Sequence, residues 1–151
     1  DLTYQEVESD VNATDIRVEA GYAAFGFQLR TTHYHESAPD DELDVYQYLG
    51  LLRFSSSRKW ELDLGLGALT LDGNERTSGF SLSLPIQFFP RKNIGLRFRP
   101  SWSWLNGNTI DDYDLGLMLA FDYFALQAGY RWFEGVSQSL NGPYVGFACF
   151  Y

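Results

Sequence analysis

The sequence has one cysteine, only two lysines and no long apolar run. Cys149 cannot form a disulfide within the chain, and no spacing of cysteine and histidine suggests a zinc site. A long stretch without a charge, residues 77–90, is interrupted by glycine, serine, proline and glutamine. It cannot form a membrane-spanning helix, which needs about 20 predominantly apolar residues. These absences exclude a disulfide scaffold and a helical membrane protein.

Positive charge is scarce as well, with 11 lysines and arginines against 20 aspartates and glutamates and a net charge of -9. A protein that neutralises nucleic-acid phosphates carries a basic stripe, so nucleic acid is excluded as a partner. The length of 151 residues fits a single domain over residues 1–151. No signal peptide is present and the chain opens at Asp1 without a methionine, so we expect a processed chain, for which export is permitted but not shown.

Aromatic side chains, at 17%, and a two-residue alternation dominate what is present. Between Tyr113 and Tyr123, leucine, phenylalanine and tyrosine alternate with aspartate, glycine, methionine and alanine. Successive side chains of a strand point to opposite faces, and an apolar face with an aromatic at each end is typical of a membrane-spanning strand. The same alternation occupies residues 16–20, 25–30, 46–54, 60–68, 80–88, 94–104, 124–132 and 143–151.

The breaks between these segments are of two alternating kinds. Short breaks lie at residues 21–24, 55–59 and 90–93 and near Asp122, and longer polar breaks lie at residues 9–14, 36–44, 72–77, 106–112 and 134–142. Outer-membrane barrels join an even number of strands by short periplasmic turns and longer outside loops. With Leu2 to Val7 as a weak first strand, the sequence predicts an all-β, antiparallel transmembrane β-barrel of about ten strands, with eight as the second choice.

A soluble barrel of the lipocalin kind, with its apolar face inward, is the main alternative. The apolar face carries nearly all the Leu, Ile, Phe and Trp side chains, more volume than a small barrel could enclose. The opposite face is rich in Gly, Ala and Ser, which suit a crowded interior. The only lysines, Lys59 and Lys92, fall in predicted turns. We therefore expect the apolar face to contact lipid and the polar face to line a lumen.

Charged residues of the polar face are predicted to form a network in a narrow, largely filled lumen. They are Arg17, Glu19, Arg30, Glu61, Asp63, Arg97, Arg99, Asp114 and Arg131. Arginine can pair bidentately with carboxylates in a confined space, and a buried charge must be neutralised. We expect at least one direct contact between Arg97 or Arg99 and Glu61 or Asp63.

The predicted outside loops are acidic. Their charges are Glu8, Asp10, Glu36, Asp40, Asp41, Glu42, Asp44, Asp72, Glu75, Asp111, Asp112 and Glu134, with Arg76 as the one positive residue. This rim would attract cations, or bind lipopolysaccharide phosphates through divalent ions. A merely solvated loop surface is the alternative.

Two further features have both a functional and a structural interpretation. His33 and His35 fall on one face of a strand, here the outward face, where polar interface residues are expected more often than a catalytic or metal site. Pro85 and Pro100 each remove a hydrogen bond from the wall and are expected side by side on adjacent strands. They predict either a lateral seam through which an apolar molecule could pass or a bulge that sets curvature.

The closing segment carries a family resemblance. Residues Leu126-Gln127-Ala128-Gly129-Tyr130-Arg131-Trp132, a polar loop, and Gly142-Pro143-Tyr144-Val145-Gly146 resemble the last hairpin of the YfaZ-type outer-membrane proteins. Weaker similarity extends to residues 32–35 and to the acidic segment 40–45. The chain departs from that family in its fewer middle-strand glycines and its additional aromatics. The resemblance implies an outer-membrane location and a porin-like role, with no catalytic or binding residue to carry over.

The leading functional hypothesis is a passive, porin-like outer-membrane barrel whose narrow, charge-filled lumen passes at most very small solutes. Outer-membrane lipid and lipopolysaccharide are the expected surroundings, and no cofactor or metal is expected. The alternative is a structural or interaction subunit that docks another outer-membrane protein through its aromatic wall and acidic loops. A lipid-modifying enzyme ranks third, and we expect the chain not to be an enzyme.

Overall fold

The computed structural model describes residues 1–7, 11–37, 40–57, 59–73, 75–135 and 139–150, which form strands and their connections. The strands are β1 Leu2–Val7, β2 Val11–Tyr22, β3 Phe25–Ser37, β4 Asp40–Ser57, β5 Trp60–Asp72, β6 Arg76–Ser83, β7 Ile86–Arg91, β8 Ile94–Leu105, β9 Asn108–Ala120, β10 Phe124–Glu134 and β11 Gly142–Cys149. The described residues contain no helix long and apolar enough to cross a membrane.

The strands close into one antiparallel barrel. Each strand pairs with its sequence neighbours, and β1 pairs with β11 to complete the ring. β6 and β7 lie end to end between β5 and β8 and share one strand position, so the barrel has ten strands. The predicted ten-stranded barrel, including the weak first strand, is confirmed.

Both described chain termini lie at one end of the barrel, which we call the terminus end. The connections there are short, as predicted, with two residues between β2 and β3 and two between β7 and β8. At the opposite end, which we call the loop end, the prediction of long loops is mostly wrong. Strands continue through them, and the β8–β9 connection is only Asn106-Gly107, both with positive φ as in a type I′ hairpin turn. The acidic residues of these segments do not end the strands, because the backbone of each strand continues to pair with the neighbouring strand there. β10 ends at Glu134 and β11 begins at Gly142, and the described residues between them are 135 and 139–141.

The outer wall is apolar and the lumen is charged, as predicted. Leu115, Leu117 and Leu119 are about half exposed, whereas the intervening Met118 and Asp114 are buried. Exposed rings gather near both ends, with Phe25, Phe121 and Tyr123 at the terminus end and Phe80 and Trp104 at the loop end. Aromatic girdles of this kind mark the two interfaces of a membrane-spanning barrel.

The inner face is not uniformly small and polar, which corrects the sequence interpretation. At the loop end the inward positions form an apolar core, which we call the loop-end core: Val7, Val11, Ala13, Tyr34, Val45, Leu69, Leu105, Ile110, Phe133 and Leu140. Its members come from β1 through β5 and from β8 through β10, so they meet across the bore. Apolar packing there fills the space that water would otherwise occupy.

Leu117 tests whether the apolar face of the wall contacts lipid, because its side chain is 56% exposed on the outer face of β9. We expect Leu117→Arg to lower the free energy of unfolding in lipid vesicles by about 2–4 kcal/mol, since arginine is disfavoured near the bilayer midplane. Thr109→Arg, at the exposed loop end of the same strand, is the control and should have little effect. Equal losses for the two variants would show that Leu117 does not face lipid.

Candidate functional site

The middle of the lumen is crossed by buried charges. We call this set the ionic belt: Arg17, Arg30, Arg97, Arg99, Arg131, Asp1, Asp15, Asp112 and Asp114. Its side chains project from inward positions of β2, β3, β8, β9 and β10, and Asp1 precedes β1. A charge removed from water needs an opposite charge and hydrogen bonds in return, and the belt supplies both from within the chain.

The half of the belt nearer the loop end is closely paired. Arg131 donates from Nε and Nη2 to the two carboxylate oxygens of Asp112 at 2.8 and 2.9 Å, a bidentate contact. Arg30 donates to Asp112 at 2.6 Å and to Asp15 at 2.5 Å. Thr32 donates a further hydrogen bond of 2.6 Å to Asp15. The Arg30–Asp112 contact joins β3 to β9 across the bore, so it links strands that share no ladder.

The half nearer the terminus end is more loosely paired. Arg97 is only 2% exposed and donates to Gln127 at 2.6 Å and to the Tyr144 hydroxyl at 3.2 Å. Its Nη1 lies 3.4 Å from the Asp1 carboxylate, and its Nη2 lies 3.7 Å from Asp114. Arg99 lies 3.2 Å from Asp1 and 3.8 Å from Asp114. Two carboxylates therefore serve several guanidinium groups here.

Tyr144 holds this half in place by lying against glycines. Its hydroxyl donates a 2.6 Å hydrogen bond to Asp114. A Cβ at Gly116 would lie 2.2 Å from that hydroxyl, and a Cβ at Gly129 would lie 2.6 Å from the same atom. The Tyr144 ring can reach Asp114 and Arg97 only because β9 and β10 carry glycine, Gly116 and Gly129, where the ring passes them.

The structure brings six of the nine predicted charged residues into the belt: Arg17, Arg30, Arg97, Arg99, Asp114 and Arg131. The expected contact of Arg97 or Arg99 with Glu61 or Asp63 is wrong. Asp63 instead bonds Arg53 at 3.2 Å, its direct partner in the β4–β5 register, and Arg53 also bonds Glu19 near the terminus end. Asp63 pairs with Arg53 and not with Arg97 because facing residues of neighbouring strands lie about 5 Å apart, while Arg97 would have to reach across a strand.

Sequence reasoning missed Asp1, Asp15, Asp112, Arg53 and Tyr144 as parts of the lumen. Asp112 was expected in an outside loop, but β9 runs through that segment and points it inward. The alternation in Asp112, Asp114, Gly116 and Met118 was a usable signal, since all four share one face of the strand. Asp1 had no such signal, because a residue ahead of the first strand has no periodicity.

The two prolines form neither an open seam nor a bulge. The register of β6 and β7 against β5 and β8 is unbroken across Leu84 and Pro85. Leu84 N donates to Pro100 O and Asp63 N donates to Pro85 O, each at 2.9 Å. Only the return bonds are missing, because proline has no N–H. The prolines are neighbours, as predicted, in a wall that stays closed.

The histidines and the described residues of the acidic rim other than Asp112 lie at the loop end, outside the lumen. His33 and His35 are exposed on the outer face, and His33 Nδ1 lies 2.6 Å from Asp44 Oδ1. The described residues include no cluster of three or more His, Cys, Asp or Glu side chains suited to a metal ion. Arg76 lies 4.0 Å from Asp72. Glu8, Asp10 and the side chains of residues 36–42 lie outside what the structure describes, as does Tyr151.

Open space in the lumen is divided by the belt. Within the belt there is only a void of about 10 Å³, roughly the room for one water molecule. A cavity of about 610 Å³ lies between the belt and the terminus end, which we call the terminus-end cavity. A smaller apolar recess of about 240 Å³ lies at the loop end, beside Leu43, Leu71 and Leu140. Among the described residues, the loop-end core lies between the ionic belt and this recess.

The fold is similar to a known channel protein. A solved structure described as the NanC porin aligns with a TM-score of 0.58 at 8% sequence identity, covering 99% of this chain and 98% of that one. At this identity the likeness shows the porin-like barrel fold alone. No family model and no curated protein matches the chain.

Asp112 should be essential to the stability of the belt, because it alone bonds both Arg30 and Arg131. We expect Asp112→Ala to lower the free energy of unfolding by about 3–5 kcal/mol, since it leaves two buried guanidinium groups without this carboxylate. Asp72→Ala removes an exposed 4.0 Å pair and should change it by about 0–1 kcal/mol. Urea unfolding of the refolded proteins measures both, and similar effects would contradict the belt.

Gly116 gives a second test, specific to Tyr144. We expect Gly116→Ala to destabilise the barrel by about 1–3 kcal/mol, because the new methyl group displaces the Tyr144 hydroxyl. In a Tyr144→Phe background the loss should be much smaller, since the displaced atom is absent. Gly50→Ala is the matched control, where the nearest atom to the new Cβ is 3.7 Å away. A full Gly116→Ala effect in the Tyr144→Phe background would refute this packing.

Proposed function

We propose that the chain is an integral outer-membrane β-barrel of the porin-like kind, whose lumen is closed in this state and passes at most very small solutes. The observation that carries the proposal is the ionic belt, which fills a bore enclosed by an apolar wall. Such a wall requires a hydrocarbon surrounding, and a closed ring of strands pairs backbone groups that lipid cannot hydrogen-bond. The ionic belt then determines which solutes can pass through the lumen.

Two barriers stand in series along the lumen. The first is the ionic belt, where paired charges leave room for about one water molecule. The second is the loop-end core, where Tyr34 and Phe133 pack with ring centroids 5.9 Å apart. A dry apolar constriction disfavours ions, and a paired belt offers a hydrated solute no open route. Conduction therefore requires both barriers to rearrange.

An outer-membrane location follows from the same features. The exposed aromatic rings near both ends would sit at the two interfaces, with lipid and lipopolysaccharide around the wall. The resemblance to YfaZ-type proteins favours the same location and stays a prediction. In this proposal the chain is not an enzyme.

The second candidate function is a structural or interaction barrel. It is favoured by the loop-end core, which gives this end a solid interior more typical of a support than of a channel. Its aromatic wall and acidic rim would then contact another outer-membrane protein. Conductance separates the two candidates, because only a channel gives single-channel steps.

The series arrangement predicts how the lumen can be opened. In planar bilayers we expect only very small conductance steps from the unmodified protein and modest increases for Arg97→Ala or Phe133→Ala. The double variant should exceed the sum of the single effects, because each single variant leaves the other barrier in place. Arg97→Ala should also lower thermal stability, since it removes bonds to Gln127 and Tyr144.

Arg91→Ala, at an exposed turn of the terminus end, is the control and should leave conductance unchanged. Heat-dependent migration in gels checks that each variant remains folded. Large steps from the unmodified protein would favour an open pore. The absence of any step from the folded double variant at every salt concentration would favour the interaction barrel.

A further inference from the structure

The terminus-end cavity has the size and lining of a ligand site. Its volume of about 610 Å³ falls within the range of small-molecule pockets, and the ionic belt closes it on the loop side. Phe89, Met118 and Phe150 supply apolar wall, and Gln87 adds an amide. A lumen that is only filled with water would not need this combination of apolar and polar side chains.

The charges that line the cavity are not balanced. Four arginines, Arg17, Arg53, Arg97 and Arg99, face three carboxylates, those of Asp1, Glu19 and Glu61. Arg53 is satisfied by Glu19 and by Asp63 behind it. The other three guanidinium groups, at the cavity's inner wall, share Asp1 and Asp114. Positive charge is therefore in excess where the cavity meets the belt.

Arg17 has the poorest neutralisation of the three. Its side chain is 4% exposed, and its one carboxylate neighbour among the described residues is Asp114 at 4.0 Å, beyond hydrogen-bond distance. Its Nε is buried without a hydrogen-bond partner, and so is the Nε of Arg97. Leaving buried donors of a charged group unsatisfied is costly, so these atoms indicate a missing acceptor.

We propose that the terminus-end cavity binds a small oxyanion, a carboxylate or a phosphate group, through Arg17 with Arg97 and Arg99. The anion supplies the acceptor that Arg17 lacks and neutralises the excess charge. An apolar part of the same molecule lies against Phe89 and Phe150 toward the open end. Binding needs no passage through the belt, so this site does not depend on the channel proposal.

Titration calorimetry of the refolded barrel in a non-ionic detergent at low ionic strength tests the proposal. The probes are inorganic phosphate, benzoate and the neutral benzyl alcohol. We expect saturable binding of phosphate, benzoate or both, and no comparable binding of benzyl alcohol. The phosphate and benzoate titrations then show whether the site prefers a phosphate or a carboxylate with an apolar part.

Three variants are expected to change anion affinity differently: one weakens it, one increases it and one leaves it unchanged. Arg17→Gln should weaken anion binding roughly tenfold or more, because it removes a charge-assisted hydrogen bond. Glu61→Gln should tighten it by about threefold, because it removes a competing negative charge from the cavity wall. Arg91→Gln, outside the cavity at the same end, should have no effect. A purely structural role for these residues would not increase affinity in any variant.

A folded Arg17→Gln barrel is expected, since Arg17 makes no close ion pair, and heat-dependent gel migration verifies it. Should that variant fail to fold, Glu61→Gln still tests the proposal, because the increase in affinity needs only the unmodified arginines. The proposal is overturned if neither anion binds, if benzyl alcohol binds as well as benzoate, or if Arg91→Gln weakens binding as much as Arg17→Gln.

Discussion

The neutralisation of arginine inside a lipid-enclosed ring is the constraint on which the rest of the structure depends. A guanidinium group always carries its charge, so an inward arginine must find a carboxylate within the lumen. Asp112 and Asp15 meet this demand for Arg30 and Arg131 with bonds of 2.5 to 2.9 Å. The Arg30–Asp112 contact spans the bore, and it holds opposite sides of the wall at a fixed distance.

The positions of glycine and tyrosine follow from the same constraint. Asp114 must lie near three guanidinium groups, and the Tyr144 hydroxyl reaches it only over the bare backbone of Gly116 and Gly129. Hydrogen bonds from uncharged groups, such as Gln47 to Ser81 and Ser101 at 2.9 Å, complete the lumen on the opposite wall. The inward face is therefore packed by matched polar partners, not left as an open bore.

The two ends of the lumen differ because the charge balance differs between the two halves of the belt. Toward the loop end the pairs are close, and an apolar core covers them. Toward the terminus end three arginines share two carboxylates, and a cavity remains beside them. A barrel of this kind can be closed to passage and still offer a charged, accessible pocket from one side.

The sequence by itself determined the class of fold, the ten strands, the outward and inward residues and the short turns at the terminus end. These are local properties, since a period of two assigns Leu117 and Asp114 to opposite faces without knowledge of any neighbour. Only the tertiary structure decided the ion pairs, the loop-end core and the terminus-end cavity. Which carboxylate meets Arg97 depends on register, barrel curvature and the position of Asp1, and these are set by contacts between distant residues, such as Arg99 with Asp1, 98 positions apart.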